Sequence, residues 1–524
     1  MLAVVPSATL HGLDGRLIRV EVDVAPGLPG FTIVGLADTA VQEARERVRG
    51  AIRNAGFVFP PRRITVNLAP AELRKTGASL DLAMALGILL GSEQVRADRA
   101  AIALIGELGL GGEVRPVPGV LPMVAAVARQ RVRRVVVAAS AVAEAQLVDG
   151  VEVIGAASLA EAAVAVRGRR SRRALVEMPR VTISGTSPAG ETLAGPGETV
   201  VGVAAPDLAE VRGQLEARRA LEIALTGGHG MLMSGPPGVG KTLLARTIPG
   251  LLPPLDDAAA LSVSIVASAA GEGPVRELHR RPPFRSPHHT LSYAAMVGGG
   301  ASLTPGEITR AHQGVLFLDE LAEFDRDVLE ALRQPLEEGR VVIARAGRTM
   351  TFPSRFQLVA AMNPCPCGFA GSLPEGRCRC TPGDVERYAR RVSGPLRDRI
   401  DLWVTMPRMS AAAIVTTREP EGSSVVGGRI ATARARAVLD RGVLNGGLRG
   451  RALRRACRLS TIAAARVVTL AEDELATGRG TERLMRVART IADLDGSMTV
   501  ETVHLDEAAW YRSPATRAAE ALAS

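Results

Sequence analysis

Short apolar runs alternate with helical patterns over residues 1–168 of the chain. ITVNLAP (64–70) alternates apolar and polar positions, as a strand with one buried face does. SLDLAMALGILLG (79–91) is apolar on every side, which predicts a buried helix. Two further apolar runs, AIALIGELGL (101–110) and RRVVVAAS (133–140), predict strands. The pattern therefore indicates an α/β or α+β domain in this part of the chain.

A linker separates this domain from a second pattern. Residues 169–205 are basic at first and then rich in Gly, Pro, Ser and Thr. Long helical segments then separate short apolar runs, which predicts a parallel sheet in an α/β core of residues 206–406. The runs are GMLMS (230–234), GVLFLD (314–319), FQLVAAMN (356–363) and DLWVTM (401–406). The pattern of residues 407–524 is helical.

The formal net charge of +10 favours a polyanionic partner, either nucleic acid or an anionic membrane, although a compositional bias towards arginine is an alternative cause. Aromatic residues make up only 3% of the chain, so few side chains can stack on bases. If the partner is DNA, we expect arginines to contact its phosphate backbone.

The sequence predicts a cytoplasmic protein without a membrane span. We find no apolar run of about 18 residues, and the first residues, MLAVVPSATLHGLDG, lack the basic region of a secretory signal. Four of the five cysteines are bunched together, which suits a reducing compartment better than a disulfide framework.

A phosphate-binding pattern, GPPGVGKT, follows the first predicted strand of the core and precedes a helical segment. Its glycines let backbone N–H groups turn towards phosphate oxygens. Its lysine is one of only two among 64 Lys and Arg residues, as expected where a phosphate cradle admits a compact ammonium but not a planar guanidinium. The predicted nucleotide-binding residues are Gly235, Pro236, Pro237, Gly238, Val239, Gly240, Lys241 and Thr242, with the threonine hydroxyl on Mg²⁺.

Polar residues end or follow two of the other predicted strands, and an arginine precedes the last one. Asp319 suits a water-mediated contact with Mg²⁺, and Glu320 suits polarisation of the attacking water. Asn363 could orient that water. Arg399 precedes the last strand, where a guanidinium can reach the γ-phosphate bound to a neighbouring subunit.

Several longer strings resemble the ComM/YifB family of magnesium-chelatase-like AAA+ ATPases, and the likeness covers nearly the whole chain. The strings are RPPFRSPHHTLS, VGGGASLTPGEITRAHQGVLFLDEL, LRQPLEEGRVVIARA, AAMNPCPCG, SGPLRDRIDL and RVARTIADLDG. The resemblance implies a Lon-protease-like (ChlI-type) α+β domain over 1–168, an AAA+ P-loop core over 206–406 and a helical lid over 407–524. It also implies a hexameric ring with ATP at its subunit interfaces, and a DNA helicase that drives branch migration during recombination of incoming DNA, with recombination proteins as further partners.

The family's functional roles carry over by position. Lys241 and Thr242 are the Walker A pair, Asp319 and Glu320 the Walker B pair, Asn363 is sensor 1, and Arg399 is the arginine finger. Sensor 2 lies in TGRGTERLMRVARTIADL, where Arg479 is the first candidate and Arg483 the second. The family usually has a leucine where Arg397 stands, so two arginines compete for the contact across the interface.

Family architecture further implies a hairpin before sensor 1 and an insert that faces the ring channel. GRVVIARAGRTMTF (339–352) suits the hairpin, with Arg340, Arg345 and Arg348 placed to hold phosphates, and solvent-exposed decoration is the alternative. GGGASLTPGE (298–307) suits the insert.

RKTGASLDLAMAL resembles the serine motif of Lon-type proteases, with Ser79 at the nucleophile position. Such a serine needs a lysine base, but Leu121 occupies the position of that lysine, and Lys75 lies in a predicted loop. We therefore expect no protease activity, and expect Ser79 to cap a helix with Asp81 in its first turn.

CPCGFAGSLPEGRCRC contains two C-x-C pairs, Cys365 with Cys367 and Cys378 with Cys380. Four thiolates complete a tetrahedral zinc site, although C-x-x-C is the usual spacing; unligated thiols and a redox role are the alternatives. His288 and His289 also raise a metal question, but neighbours on a strand point to opposite faces and cannot easily share an ion.

Three functions compete at this stage: an ATP-driven DNA motor, a chelatase-type motor that remodels a protein partner, and a binding protein in which nucleotide only locks an oligomer. Positive charge and the arginine-bearing hairpin favour the first function. Intact Glu320 and Arg399 argue against the third.

Overall fold

A computed structural model describes the chain apart from residues 37, 74, 76, 98–100, 168–197, 200–204, 300–303, 346–347, 372–376, 411–419, 473–477 and 513–524. The chain divides into two compact units. The first is Met1–Thr192 with Asp257–His279 and Gly299–Pro305, and the second is Leu193–Asp256 with Arg280–Gly298 and Gly306–Ser524.

The first unit is built on two sheets and a short hairpin. Its early strands are β1 (Leu2–His11), β2 (Asp14–Ala25), β3 (Gly30–Val34), β4 (Arg63–Ala69), β5 (Ala103–Leu104), β6 (Glu107–Leu108), β7 (Val114–Arg115), β8 (Arg134–Ala138) and β9 (Glu152–Ala156). One sheet has the order β1-β2-β4-β3 and is antiparallel except for the β3–β4 pair. β5, β8 and β9 form a parallel sheet, and β6 pairs with β7.

Helices cover these sheets, so the expected mixture of helices and strands is confirmed. They are Thr39–Asn54, Asp81–Gly91, Val120–Arg129, Val142–Ala145, Leu159–Val166 and Asp257–Ala270. Helix Asp81–Gly91 is buried on all sides except at Leu90, as its continuous apolar sequence predicts.

The expected helix cap at Ser79 is wrong. The helix begins at Asp81, Leu80 is the capping residue, and no side chain makes the capping hydrogen bond. Instead, the buried Ser79 hydroxyl donates to the carbonyl of Ala8 at 3.0 Å. Asp81 does lie in the first turn, where Arg47 Nε contacts its carboxylate at 2.8 Å. Burial nevertheless raises the pKa of Asp81 to about 6, against the effect of that arginine.

Helix Asp257–Ala270 belongs to the first unit although it follows the phosphate-binding pattern in the chain. The carboxylate of buried Glu144 anchors it, because Ser268 Oγ donates to that carboxylate at 2.6 Å. The backbone N–H groups of Leu121 and Val275 donate to the same carboxylate at 3.0 and 3.3 Å. These three donors give the buried carboxylate the hydrogen bonds that a buried polar group requires. The backbone N–H of Gly119, which donates to the Ser268 carbonyl at 2.9 Å, adds a further link.

The second unit contains the parallel sheet that the apolar runs predict. The remaining strands of the chain are β10 (Glu198–Thr199), β11 (Met231–Ser234), β12 (Phe284–Ser286), β13 (Gly298–Gly299), β14 (Thr304–Pro305), β15 (Val315–Leu318), β16 (Arg340–Arg345), β17 (Arg348–Pro353), β18 (Gln357–Met362) and β19 (Leu402–Thr405). Six of them form a sheet in the order β10-β12-β15-β18-β11-β19, parallel except at the β10 edge. The carboxyl ends of β15, β18 and β11 therefore meet at one edge of the sheet.

Helices of the second unit surround this sheet and then form the C-terminal region. They are Leu215–Gly227, Lys241–Arg246, Tyr293–Val297, Glu307–Arg310, Arg326–Ala331, Arg333–Glu338, Pro382–Ala389, Gly394–Arg397, Ser423–Arg441, Gly450–Cys457, Thr461–Glu472, Gly478–Leu494 and Thr502–Trp510. The expected P-loop α/β core with a helical C-terminal region is confirmed. None of the described helices is long and apolar enough to cross a membrane.

The expected hairpin is also present. β16 and β17 pair antiparallel, with Arg345 opposite Arg348. The turn at 346–347, and the side chains of the two arginines beside it, lie outside the described residues. The same holds for residues 300–303 of the expected insert.

Candidate active site

The phosphate-binding pattern forms the connection between β11 and helix Lys241–Arg246. Gly238 and Gly240 have φ values of +79° and +95°, a left-handed region that side chains with a Cβ rarely adopt. Gly235 is required for space, because a Cβ there would lie 2.4 Å from the carbonyl oxygen of Met406. The glycine spacing of the sequence thus has a conformational and a steric cause.

Lys241 lies inside this loop and is only 8% exposed. Its ammonium donates to the carbonyls of Gly235 and Pro236 at 2.5 and 2.9 Å, and to Asn363 Oδ1 at 3.2 Å. Burial lowers the pKa of Lys241, and the nearby charges of the acids at 319 and 320 partly offset that effect. The ammonium is thus held between the phosphate loop and the end of β18.

Asp319 follows β15 and faces the first turn of helix Lys241–Arg246. Its Oδ2 accepts a 2.6 Å hydrogen bond from the Thr242 hydroxyl, and its Oδ1 accepts one from the Glu320 N–H at 2.9 Å. A hydroxyl and a carboxylate in contact are hard oxygen ligands of the kind that Mg²⁺ uses, together with water and phosphate oxygens. The two residues therefore fit an Mg²⁺ ion beside the phosphate loop.

Glu320 has an unusual backbone conformation and a partner that the sequence did not predict. Its φ is +52°, which is uncommon for a residue with a Cβ. Its carboxylate lies 3.1 Å from Nδ1 of His289. The expectation that His288 and His289 point to opposite faces is wrong, because both follow β12 in a turn and their ring centroids are 4.1 Å apart. The only sequence signal for this contact was the adjacent histidine pair itself.

Two of the candidate arginines, Arg399 and Arg479, lie at the carboxylate of another acid, Glu337. Both terminal nitrogens of Arg399 are engaged within the chain, one by the Glu337 carboxylate and one by the Pro395 carbonyl. Arg479 Nη1 lies 3.8 Å from the same carboxylate, and its side chain is 76% exposed. Arg483 donates instead to the Ile400 carbonyl at 3.0 Å. Glu337 was missed because nothing in the sequence marks an acid on a short helix as a partner of two distant arginines.

Arg397, the other arginine of this segment, is held differently. Its Nη2 donates to the Ala389 carbonyl at 2.6 Å, and its guanidinium lies 5.7 Å from the ring centroid of Trp403. This stacked position, together with burial that lowers the pKa of Arg397, indicates a packing role.

The four cysteines of the loop after β18 converge. Each pair of sulfurs among Cys365, Cys367, Cys378 and Cys380 lies within 4.8 Å. The N–H of Ala370 donates to Cys365 Sγ at 3.3 Å. The cluster is therefore compatible with a soft metal ion such as Zn²⁺.

Three magnesium-chelatase families match successive parts of the chain. Residues 20–141 match "Subunit ChlI of Mg-chelatase", residues 207–414 match "Magnesium chelatase, subunit ChlI", and residues 420–512 match "Magnesium chelatase, subunit ChlI C-terminal". The phosphate loop, the two acids after β15 and the cysteine cluster all fall within the middle match.

Relatives in several bacteria match this chain, some of them over nearly its whole length. Competence protein ComM of Haemophilus influenzae is 39% identical over 518 residues, which cover 98% of this chain and 97% of the relative. The uncharacterized protein YifB of Escherichia coli is 41% identical over 515 residues, again covering 98% and 97%. The magnesium-chelatase 67 kDa subunit of Heliobacterium mobile is 27% identical over 201 residues, 32% of this chain and 29% of that protein.

Proposed function

We propose that this protein is a hexameric motor that uses ATP hydrolysis to move on DNA. The chain belongs to the ComM/YifB family of magnesium-chelatase-like AAA+ ATPases, and the proposal starts from that fact. Family membership makes the protein an ATPase whose ligands are ATP and Mg²⁺. Translocation on DNA, helicase activity and branch migration during recombination are what we propose beyond that. The name of the Haemophilus relative, a competence protein, supports a task with incoming DNA.

The observation that carries the ATPase chemistry is the convergence of Lys241, Thr242, Asp319 and Asn363 at one edge of the sheet. In the proposed mechanism, Lys241 exchanges loop carbonyls for phosphate oxygens, which suits a buried ammonium that already lies in the loop. Thr242 and Asp319 hold Mg²⁺, which neutralises charge on the phosphates when bound. Glu320 accepts a proton from the attacking water, and Asn363 orients that water.

Arginine side chains stabilise the remaining negative charge on the γ-phosphate in the transition state. We assign Arg399 as the finger that reaches the γ-phosphate of a neighbouring subunit, and Arg479 as sensor 2. In the single chain the two guanidinium groups lie at the same carboxylate of Glu337. The proposal therefore includes an exchange, in which Arg399 leaves Glu337 when subunits assemble around ATP.

DNA binding by this motor rests on charge and on the hairpin. The net charge of +10 draws the protein to a polyanion. Arg340 at the base of the hairpin is 59% exposed on its side chain and pairs with Glu338 at 2.9 Å. With Arg345 and Arg348 opposite each other beside the turn, the hairpin carries three arginines that suit phosphates without sequence readout.

We propose that residues 1–168 form a Lon-like domain without protease activity, linked through 169–205 to the ATPase core of 206–406 and the lid of 407–524. The Ser79 hydroxyl supports this view, because it donates to a backbone carbonyl and is 5% exposed. Leu121, at the position of the catalytic lysine, is fully buried. We further propose that the four clustered cysteines hold a structural Zn²⁺ ion.

The second candidate function is a chelatase-type motor that remodels a protein partner. It is favoured by the magnesium-chelatase names of the three matching families and of the Heliobacterium relative. That relative covers only 32% of this chain, whereas the ComM relative covers 98%. The difference in coverage favours the DNA motor.

The rate of ATP hydrolysis with and without forked and four-way DNA, measured at low and at physiological salt, distinguishes the two functions. A DNA motor that binds phosphates should be stimulated by DNA, and the stimulation should weaken as salt rises. Replacement of Arg340, Arg345 and Arg348 by alanine should abolish the stimulation but leave the DNA-free rate unchanged. If no form of DNA changes the rate at either salt concentration, the DNA motor is wrong and the second function is favoured.

A further inference from the structure

The cysteine cluster lies directly beside the nucleotide site in the chain. Asn363 follows β18, and Cys365 comes two residues later. The backbone N–H of Gly368 donates to the Cys365 carbonyl at 2.9 Å and closes a tight turn between the first two cysteines and the rest of the loop. Any constraint on the sulfurs therefore acts on the segment that immediately follows Asn363.

The sulfur positions match those around a tetrahedral ion. Zn–S bonds of about 2.3 Å place the four sulfurs about 3.8 Å apart. Three of the six separations are 3.8 Å for Cys365 and Cys378, 3.6 Å for Cys367 and Cys378, and 3.3 Å for Cys365 and Cys367, and all six are within 4.8 Å.

The turn of the cluster is packed against the phosphate loop. A Cβ on Gly368 would lie 2.8 Å from Cδ and 2.9 Å from Cγ of Pro237, closer than real Cβ atoms come to such a ring. The same Cβ would lie 3.8 Å from the side-chain carbon of Asn363, whose oxygen accepts from Lys241. The loop that holds the cysteines is thus in contact with the phosphate loop itself and with the residue that orients its lysine.

We propose that a metal ion bound by Cys365, Cys367, Cys378 and Cys380 controls nucleotide affinity, by holding the Gly368 turn against Pro237 and Asn363. This inference rests on the proposed ATP site and deepens it, because it makes the cysteine cluster a regulator of that site. The metal is a soft divalent cation, with Zn²⁺ as the chemical match. Binding of metal and binding of nucleotide are then coupled. Because such coupling is reciprocal, nucleotide must increase the affinity for metal by the same factor as metal increases the affinity for nucleotide.

The first experiment measures zinc content and the Kd for Mg²⁺–ADP on the full chain, because ADP occupies the phosphate loop without turnover. Purified wild type should contain one zinc ion per chain, and Cys378→Ser should lose it and weaken ADP binding by about 10-fold, within the usual range of coupling between sites. Cys457→Ala is the control, since Cys457 is buried far along the chain and outside the cluster. Equal ADP affinity of zinc-loaded wild type and zinc-free Cys378→Ser would overturn the inference while leaving the ATP site intact. Failure of zinc-loaded wild type to bind ADP would overturn both.

The second experiment keeps the cluster and disturbs only its contact. Gly368→Ala forces a Cβ into the Pro237 ring, whereas Gly371→Ala does not, because a Cβ there meets nothing within 4 Å. Both glycines have left-handed φ values, +84° and +69°, so the backbone strain of the two variants is matched. Gly368→Ala should retain zinc but raise the Kd for ADP several-fold more than Gly371→Ala does. Chelation of the zinc bound to Gly368→Ala should then change the Kd of that variant little. Equal Kd values for the two variants would show that the turn does not transmit the state of the cluster.

Discussion

The hydroxyl of Thr242 donates a 2.6 Å hydrogen bond to Asp319, although the two residues are 77 positions apart. They follow β11 and β15, which are separated in the sheet by β18. The contact exists because all three strands run in the same direction and end at one edge. Asn363, at the end of the middle strand, reaches Lys241 in the same way. Four side chains from three strand ends therefore surround one small volume that suits phosphate and Mg²⁺.

Replacement of Glu320 by glutamine should leave ATP and DNA binding intact and abolish turnover. Glutamine keeps the shape of the side chain but cannot accept a proton from water, and loss of a general base costs roughly 10² to 10⁴ in rate. Steady-state ATP hydrolysis and equilibrium binding check this result. Glu323→Gln is the control, since its carboxylate is engaged by Arg391 at 2.9 Å. Normal hydrolysis by the Glu320 variant would show that another group is the base.

Loss of the His289 imidazole should raise ATP hydrolysis in the absence of DNA. The contact at 3.1 Å occupies one oxygen of the Glu320 carboxylate, so that oxygen is less available to water. A hydrogen bond to a charged group is worth about 1.5 kcal/mol or more, which corresponds to about a 10-fold rise in the DNA-free rate of His289→Ala. His289→Gln keeps a donor and should stay near the wild-type rate. A lower DNA-free rate in His289→Ala would mean that the histidine positions Glu320 for catalysis.

Acid should destabilise the second unit through His312. This imidazole is 4% exposed, accepts a 3.1 Å hydrogen bond from the Arg355 N–H, and has a pKa lowered by burial to about 4. Burial disfavours the charged imidazole only in the folded state. His312 therefore makes its full contribution to the free energy of unfolding above the pKa that it has in the unfolded chain, and this contribution is lost as the pH falls below that pKa. The loss amounts to about 2 kcal/mol between about pH 7.5 and about pH 5.

Urea unfolding followed by tryptophan fluorescence measures this effect. Both tryptophans, Trp403 and Trp510, lie in the second unit, so the signal reports on that unit. His312→Gln should lose less stability than wild type over this pH range, and His288→Gln, at an exposed position of the same unit, should behave like wild type. Parallel pH dependences of wild type and His312→Gln would contradict the assignment.

The sequence predicted those parts of the structure that depend on local pattern. Each apolar run of the core became a parallel strand, because such runs bury both faces of a sheet. The glycine spacing of the phosphate loop and the arginine hairpin depend on backbone conformation within a few residues, so they were visible as well.

Features that depend on contacts between distant residues were not visible. Helix Asp257–Ala270 packs in the first unit because Glu144 accepts from Ser268, and neither residue is unusual by itself. The Ser79 hydroxyl donates a hydrogen bond to a carbonyl of β1 and does not cap the helix that follows it. The Glu337 carboxylate pairs with Arg399 and Arg479, which are distant in the sequence and close only in the folded chain.

Mixing of two inactive variants tests most directly the claim that one subunit supplies the phosphate loop and its neighbour supplies Arg399. Lys241→Ala and Arg399→Ala should each fail to hydrolyse ATP. In mixed rings the intact loop of one variant meets the intact arginine of the other, so an equimolar mixture should recover about a quarter of the wild-type rate if subunits assort at random around head-to-tail interfaces. A mixture that remains as inactive as its components, or an Arg399→Ala protein that hydrolyses ATP at the wild-type rate, would contradict a site shared between subunits.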